Sequence, residues 1–270
     1  MSVSVLMSVY GKEKAEYLRE ALNSLYHQTM LPEEIILVKD GQLTEELEAV
    51  IEEFEKKKRG LKVIALPESV QLGRALQEGL KYCSCDLVAR MDSDDISLPN
   101  RLELQYEYMK KHPQVQALGG WIQEFDDIGN LCGIRQTPEN LEEIQKYLKF
   151  RNPMNHVTVM FRKEAVINAG GYRHYPGFED YDLWTRMLLQ DMCLQNIPEL
   201  LVKVRTNEGM YERRGGMDYF RKNAVFRKEQ KQRRIINAGE YAVSLGMAFL
   251  MAMQPAGIRK WIYQKLLRKQ

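Results

Sequence analysis

Residues 87–99 read Leu-Val-Ala-Arg-Met-Asp-Ser-Asp-Asp-Ile-Ser-Leu-Pro, and this stretch decides what kind of fold the chain adopts. Leu87, Val88, Ala89 and Met91 make a short apolar run of β character, and Pro99 then allows a helix to start. Between them stand Asp92, Asp94 and Asp95. A carboxylate cluster where a buried strand ends is costly unless something positive neutralises it. A divalent cation holding a phosphorylated ligand would do so, because hard cations take oxygen ligands and keep places open for phosphate. The stretch predicts an enzyme acting on a nucleotide-linked substrate.

Working outward, the same strand–helix rhythm fills the first part of the chain. Strands are expected at Val3–Val9, Ile35–Val38, Leu61–Leu66 and Leu87–Met91. Helices are expected at Tyr17–Leu25, Leu43–Lys58, Leu72–Tyr82 and Leu98–His112. Strands that are apolar throughout and alternate with helices predict a parallel sheet covered on both faces, a doubly wound α/β design. Residues 1–112 are read as the nucleotide-binding half. Residues 113–210 are read as a second half of the same domain, with strands at Val115–Phe125 and Val157–Phe161, helices at Glu139–Leu148 and Tyr181–Leu189, and an edge strand at Glu199–Arg205. Residues 211–270 are read as a basic helical extension.

The formal charge of +2 over 270 residues hides an asymmetry. From Lys203 onward there are 16 Lys/Arg against 5 Asp/Glu, so a mildly acidic body carries a basic tail. No aromatic-rich basic groove is visible, so no nucleic-acid partner is expected. Cys83 and Cys85 lie too close for a zinc knuckle, and with Cys132 and Cys193 they read as plain thiols in a reducing compartment. The first residues lack a basic start and a long apolar core, so they read as a first strand inside the cytoplasm rather than a signal peptide. Tyr241–Ile258 carries no charge but is interrupted by Gly246, Pro255 and Gly257, marginal for a span of about 20 apolar residues. A helix on the inner membrane surface and a hairpin packed on the domain or at a homodimer interface both fit.

Three segments fall at the carboxyl ends of the predicted parallel strands, where open α/β sheets bind ligands: Ser8-Val9-Tyr10, Asp40-Gly41 and Asp92-Ser93-Asp94-Asp95. Asp40 suits a base N–H, although Asp-Gly is also a common turn. Ile96 and Ser97 stand where a calcium-binding EF-hand loop needs an oxygen ligand and a glycine. No Walker loop or Gly-x-Gly-x-x-Gly occurs, so metal and basic side chains are left to hold a diphosphate. Further on, Glu179, Asp180 and Asp182 open a helix between Phe178 and Trp184. Helix capping explains one carboxylate there better than three, and apolar neighbours raise a carboxylate toward a useful general base.

Six segments, SVY (8–10), VKDG (38–41), QLGRALQEGL (71–80), MDSDD (91–95), NPMNHVTVMFRK (152–163) and GFEDYDLW (177–184), together resemble a family 2 glycosyltransferase of GT-A fold. The spacing is similar to bacterial enzymes that assemble capsule, exopolysaccharide and O-antigen units. The resemblance covers residues 2–205. It implies inverting transfer from a nucleotide-diphosphate sugar, by family weight a UDP-sugar, to a hydroxyl of a glycan acceptor linked to a lipid diphosphate, with Mn2+ or Mg2+. It also implies that Asp40 reads the base and that Ser8, Val9 and Tyr10 line its pocket. Asp92 and Asp94 match the family's Asp-x-Asp, with Asp94 the direct metal ligand and Ser93 and Asp95 beside the donor. Asp180 matches the catalytic base. His156 faces the metal or diphosphate, or is a structural histidine. Arg74 contacts base or phosphate, or forms a surface salt bridge. Arg213, in MYERRGG, would close over the diphosphate. Gln71 departs from the family's Asn and Gln42 from its Ser, which bears on the nucleotide read more than on the reaction. The absent Gln-x-x-Arg-Trp motif and the lack of spanning segments favour adding a single sugar. A non-catalytic nucleotide-sugar scaffold and a sugar-phosphate nucleotidyltransferase are the alternatives, the latter disfavoured because Tyr10-Gly11-Lys12-Glu13 is not its Gly-rich loop.

Overall fold

The structure, a computed structural model, describes residues 2–206, 209, 212, 214–266 and 268. Its first part alternates as the apolar pattern predicts: β1 (Val3–Tyr10), α1 (Ala15–Tyr26), β2 (Glu34–Asp40), α2 (Glu45–Lys57), β3 (Leu61–Ala65), α3 (Leu72–Leu80) and β4 (Leu87–Asp92). β1 pairs in parallel with β2 and with β4, and β2 with β3. Alternate side chains of β1 enter different cores. Val3, Val5, Met7 and Val9 pack with Leu18, Leu22, Val50 and Phe54 of α1 and α2. Leu6 joins Ile36 and Val38 of β2 against Leu76 and Leu80 of α3. Burial on both faces is why these strands are apolar throughout rather than alternating.

The chain continues with β5 (Ile96–Ser97), α4 (Arg101–Lys111), β6 (Val115–Phe125), β7 (Leu131–Arg135), α5 (Leu141–Leu148), β8 (Met160–Arg162), α6 (Lys163–Asn168), α7 (Glu179–Leu188) and β9 (Cys193–Arg205). The strands among the described residues form one nine-stranded sheet of order β3-β2-β1-β4-β8-β6-β9-β5, with β7 added on β6. Short β8 runs antiparallel to both β4 and β6 and so joins β4 of the parallel set to β6.

Two sequence expectations change here. The strand expected over Val157–Phe161 is split, because His156–Thr158 forms a 3-10 turn and β8 starts only at Met160. The Thr158 amide and hydroxyl both donate to the Asn155 carbonyl, which closes that turn. The strand expected at Glu199–Arg205 begins at Cys193 and is internal, between β6 and β5. Pro198 and Glu199 hid its length: the pairing slips from Gly119↔Asn196 to Trp121↔Leu200, so these exposed residues bulge out of the ladder.

The tail forms α8 (Gly216–Gln232), α9 (Ala238–Met253) and α10 (Ala256–Leu266). Phe226 of α8 anchors it, with its ring 4.6 Å from Tyr181 and 5.1 Å from Phe178. Asn237 and Glu240 cap the start of α9 reciprocally, and Pro255 separates it from α10. Among the described residues no helix is long and apolar enough to cross a membrane. All four cysteines are free thiols.

Candidate active site

The parallel register sets the site. Tyr10 lies opposite Asp40 on one side of β1 and Ser8 opposite Asp92 on the other, so the ends of β2, β1 and β4 bring these residues to one edge. Val9 between them is buried, Ser8 is half-buried and Tyr10 is exposed.

Asp92, Asp94 and Asp95 converge. Each offers a carboxylate oxygen, and these oxygens lie within 4.8 Å of one another. Arg90 makes this tolerable. Two residues before Asp92 on the same strand, its side chain takes the same face. It is 2% exposed, and its two terminal nitrogens clamp both oxygens of Asp92. Burial pushes the Asp94 carboxyl up to about 7, with the charges of Asp92 and Glu13 adding to it. Asp95, 2% exposed, is also raised by burial and by Asp94, and its Oδ1 accepts the Arg205 amide at 2.8 Å. Arg205 is itself held between the Tyr17 and Phe125 rings, 3.8 and 4.6 Å from its guanidinium carbon. Ser93 donates to Glu13 Oε2 at 3.2 Å, which brings a fourth acid beside the cluster. The set is all oxygen and surplus in negative charge, the donor chemistry that Mn2+ and Mg2+ take. Asp94 is the member with neither an arginine clamp nor a backbone amide from another strand in the hydrogen bonds described.

Asp40 is present at the edge but already engaged. Its carboxylate accepts Val70 N at 2.6 Å, Ser69 Oγ at 3.0 Å and Gln71 N at 3.1 Å. A carboxylate has about four lone-pair sites, so one remains for a ligand. Gly41, at φ +84°, permits this approach, since a Cβ there would meet Ser69 N at 2.7 Å. Gln71 stands at φ 71° and ψ 160°, a region costly for any residue but glycine and typical of functional loops. Arg74, on the first turn of α3, is exposed.

The helix α7 spreads its three acids. Asp182 is fully buried and ion-paired to Arg186 at 2.8 Å and Arg233 at 3.0 Å, which makes it structural. Glu179 faces a cavity of about 140 Å³ lined also by Gln71, Gly73, His174, Tyr175 and Gly177. Burial lifts its carboxyl to about 7, helped by the Asp180 charge. Asp180 receives Asn152 Nδ2 at 2.5 Å and its neighbour's Tyr181 amide at 2.8 Å. Burial raises its carboxyl above the ordinary aspartate range against those hydrogen bonds and the charges of Arg90 and Arg135. Arg90 thus acts electrostatically on Asp94, Asp95, Glu179 and Asp180 together. Arg135 in turn donates to the Asn152 carbonyl at 2.9 Å.

His156 is placed differently from its expected role as a metal ligand. It stands outside the carboxylate group, with Nε2 3.0 Å from the Tyr172 hydroxyl and its ring edge-on to Trp184. Burial raises the Tyr172 hydroxyl, so it keeps its proton and donates. Burial and Arg90 lower the imidazole, so it stays neutral and accepts. The structural alternative is the one this pairing fits. Arg213 lies outside the described residues. Sequence reasoning missed Arg90, Glu13, Asn152 and Arg135. For Arg90 the signal was legible: a lone arginine in an apolar strand, spaced by two from an aspartate.

The chain is similar to known proteins. A model of the glycosyl transferase family 2 matches residues 4–175. The chain is 37% identical over 97% of its length to the amylovoran biosynthesis glycosyltransferase AmsE of Erwinia amylovora, covering 98% of that protein. It is 34% identical over 98% of its length to the UDP-Gal:alpha-D-GlcNAc-diphosphoundecaprenol beta-1,3-galactosyltransferase of Escherichia coli, covering 96% of it. Residues 1–349 of S. aureus TarS with UDP-GlcNAc superpose with a TM-score of 0.68 at 19% identity, over 98% of this chain and 79% of that one. The mannosyltransferase of Pyrobaculum calidifontis with GDP-Man and Mn2+ gives 0.64 at 16% identity, over 96% and 72%. The fold is GT-A, and the chain belongs to glycosyltransferase family 2.

Proposed function

We propose that this glycosyltransferase is inverting and metal-dependent, and that it moves a sugar from a UDP-sugar to a hydroxyl of a lipid-diphosphate-linked glycan at the inner face of the membrane. The observation that carries the reading is the convergence of the Asp92, Asp94 and Asp95 carboxylates at the end of β4, beside the buried Arg90 whose charge also reaches Asp180. The name of the E. coli relative supports the UDP donor and the lipid-linked acceptor, and the Mn2+ of the Pyrobaculum structure supports the cation.

Asp180 takes the proton of the acceptor hydroxyl as that oxygen attacks C1 of the donor sugar. The bond from C1 to the nucleoside diphosphate breaks on the opposite face, which inverts the configuration. Asn152 fixes the carboxylate through Oδ2, and burial keeps it basic enough to accept the proton. A Mn2+ or Mg2+ held by Asp94 beside Asp92 and Asp95 would supply positive charge for the departing diphosphate. Asp40 and the Ser8–Tyr10 edge form the base pocket, and Arg74, exposed at the start of α3, reaches for base or phosphate. Residues 1–112 hold the donor and residues 113–210 the acceptor.

Nucleoside diphosphate release from a panel of UDP-, GDP- and dTDP-sugars, with Mn2+ and with a chelator, tests this. Metal-dependent release from a UDP-sugar in the presence of a lipid-diphosphate acceptor is expected. Equal release in the chelator removes the cation from the reading.

A further inference from the structure

The helices α9 and α10 carry an apolar surface that the domain leaves uncovered. Val243, Met247 and Leu250 follow one another at i, i+4 and i+7, so they form a single stripe, and they are 55%, 50% and 63% exposed. Beyond Pro255, Ile258 and Trp261 of α10 are likewise 48% and 56% exposed. Away from the stripe Ser244 and Ala252 are buried, and Phe249, 45% exposed, meets Phe220 of α8 edge to face at 5.3 Å. Isolated exposed hydrophobics need no explanation, but a contiguous uncharged stripe marks an interaction surface.

The surroundings say what covers it. The supporting helix α8 exposes Arg221, Lys222, Lys228 and Lys231, and residues 203–270 carry 16 Lys/Arg against 5 Asp/Glu. Two copies meeting through this face would bring like charges together, whereas an anionic lipid surface attracts them. With 16 residues, α9 is about 24 Å long, short of a hydrocarbon core of about 30 Å, so it suits the plane of the interface and not a span. We infer that the stripe Val243-Met247-Leu250, extended by Ile258 and Trp261, seats the enzyme on a bilayer containing anionic lipid, with the apolar side chains among the acyl chains and the α8 cations at the headgroups. This deepens the lipid-linked acceptor reading, yet the seating is a property of the free protein and is measurable without any transfer.

The test is co-sedimentation of the full chain with vesicles of phosphatidylcholine alone or of phosphatidylcholine with phosphatidylglycerol, at low and high salt. The wild type is expected to pellet with the phosphatidylglycerol vesicles and to release in high salt. The double variant Leu250→Ser, Trp261→Ser should partition at least about tenfold less while keeping its circular dichroism and thermal midpoint. Arg221→Gln with Lys228→Gln should weaken binding to phosphatidylglycerol vesicles and leave the fold intact. Three results would overturn the inference: a wild type that stays in the supernatant, equal binding by the Leu250/Trp261 variant, or a dimer in analytical ultracentrifugation that this variant dissociates. Lost seating with nucleoside diphosphate release intact on a water-soluble acceptor would leave the reaction reading standing.

Discussion

Two acidic clusters of similar density behave in opposite ways. At the end of β4, Asp92, Asp94 and Asp95 turn their carboxylates toward one another and share one clamped arginine. At the start of α7, Glu179, Asp180 and Asp182 point apart: one into a cavity, one toward Asn152, one into a buried ion-pair network. The difference is backbone geometry. A strand running into a tight turn can converge successive side chains on one point, whereas a helix rotates each by about 100° and disperses them. Convergence makes a site for a cation. Dispersal puts the three carboxylates in three different surroundings, and the proposed reaction takes Asp180 as its base.

Substitutions should separate the clusters, beginning with the largest effect. Asp94→Ala should abolish metal-dependent turnover with the thermal midpoint unchanged, and turnover at the normal rate would take Asp94 out of the cation site. Asp180→Asn should retain donor binding by calorimetry but lower transfer by about 10²–10⁴-fold. Near-normal transfer would move the base to Glu179. Asp182→Ala should do the reverse, costing about 3–5 kcal/mol of stability by leaving Arg186 and Arg233 unpaired while donor affinity of the folded fraction holds. A donor-binding defect without a fall in denaturant midpoint would contradict its structural role.

The smallest effects are in pH. The Asp180 carboxyl is raised, so transfer should fall on the acid side along a limb lying above the ordinary aspartate range. Stability should respond with two signs. Glu179, raised to about 7 by burial, binds its proton more tightly folded than unfolded, so its contribution grows as pH falls through 7. At Glu34 burial also raises the carboxyl, but hydrogen bonds from Lys62, Ser4 and Ser84 outweigh it and hold the group at about 2. Its contribution is therefore present above about 4.5 and lost as pH falls toward 2. Glu179→Gln should remove its share of the near-neutral slope, to which Asp94 contributes with the same sign, and leave the acid limb of Glu34 unchanged. The same midpoint change between pH 8 and 5 in Glu179→Gln as in the wild type would contradict the burial of Glu179.

The same contrast shows what was legible beforehand. Long periodic elements could be read, since β1 to α4 are bounded by clear apolar periods. The two-residue β5 and six-residue α6 carry too few residues for a period to show. The bulge at Pro198 disguised β9 as a short edge strand. At the site, residue types in motifs pointed to the carboxylates but not to their directions, so Asp182 looked like Asp180. For His156 the ligand and structural readings stayed open because its partner, Tyr172, is brought to it only by tertiary packing. The spacing of Arg90 from Asp92 is legible, but its burial and its reach to Glu179 and Asp180 come only from tertiary packing.

In the proposed reaction the β4 cluster holds a cation while the α7 aspartate works on the acceptor. Calorimetric titration of Mn2+ into the UDP-bound protein, for wild type, Asp94→Ala and Asp180→Asn, tests it most directly. Wild type and Asp180→Asn should bind Mn2+ alike, and Asp94→Ala should bind none. Undiminished Mn2+ binding by Asp94→Ala would contradict it.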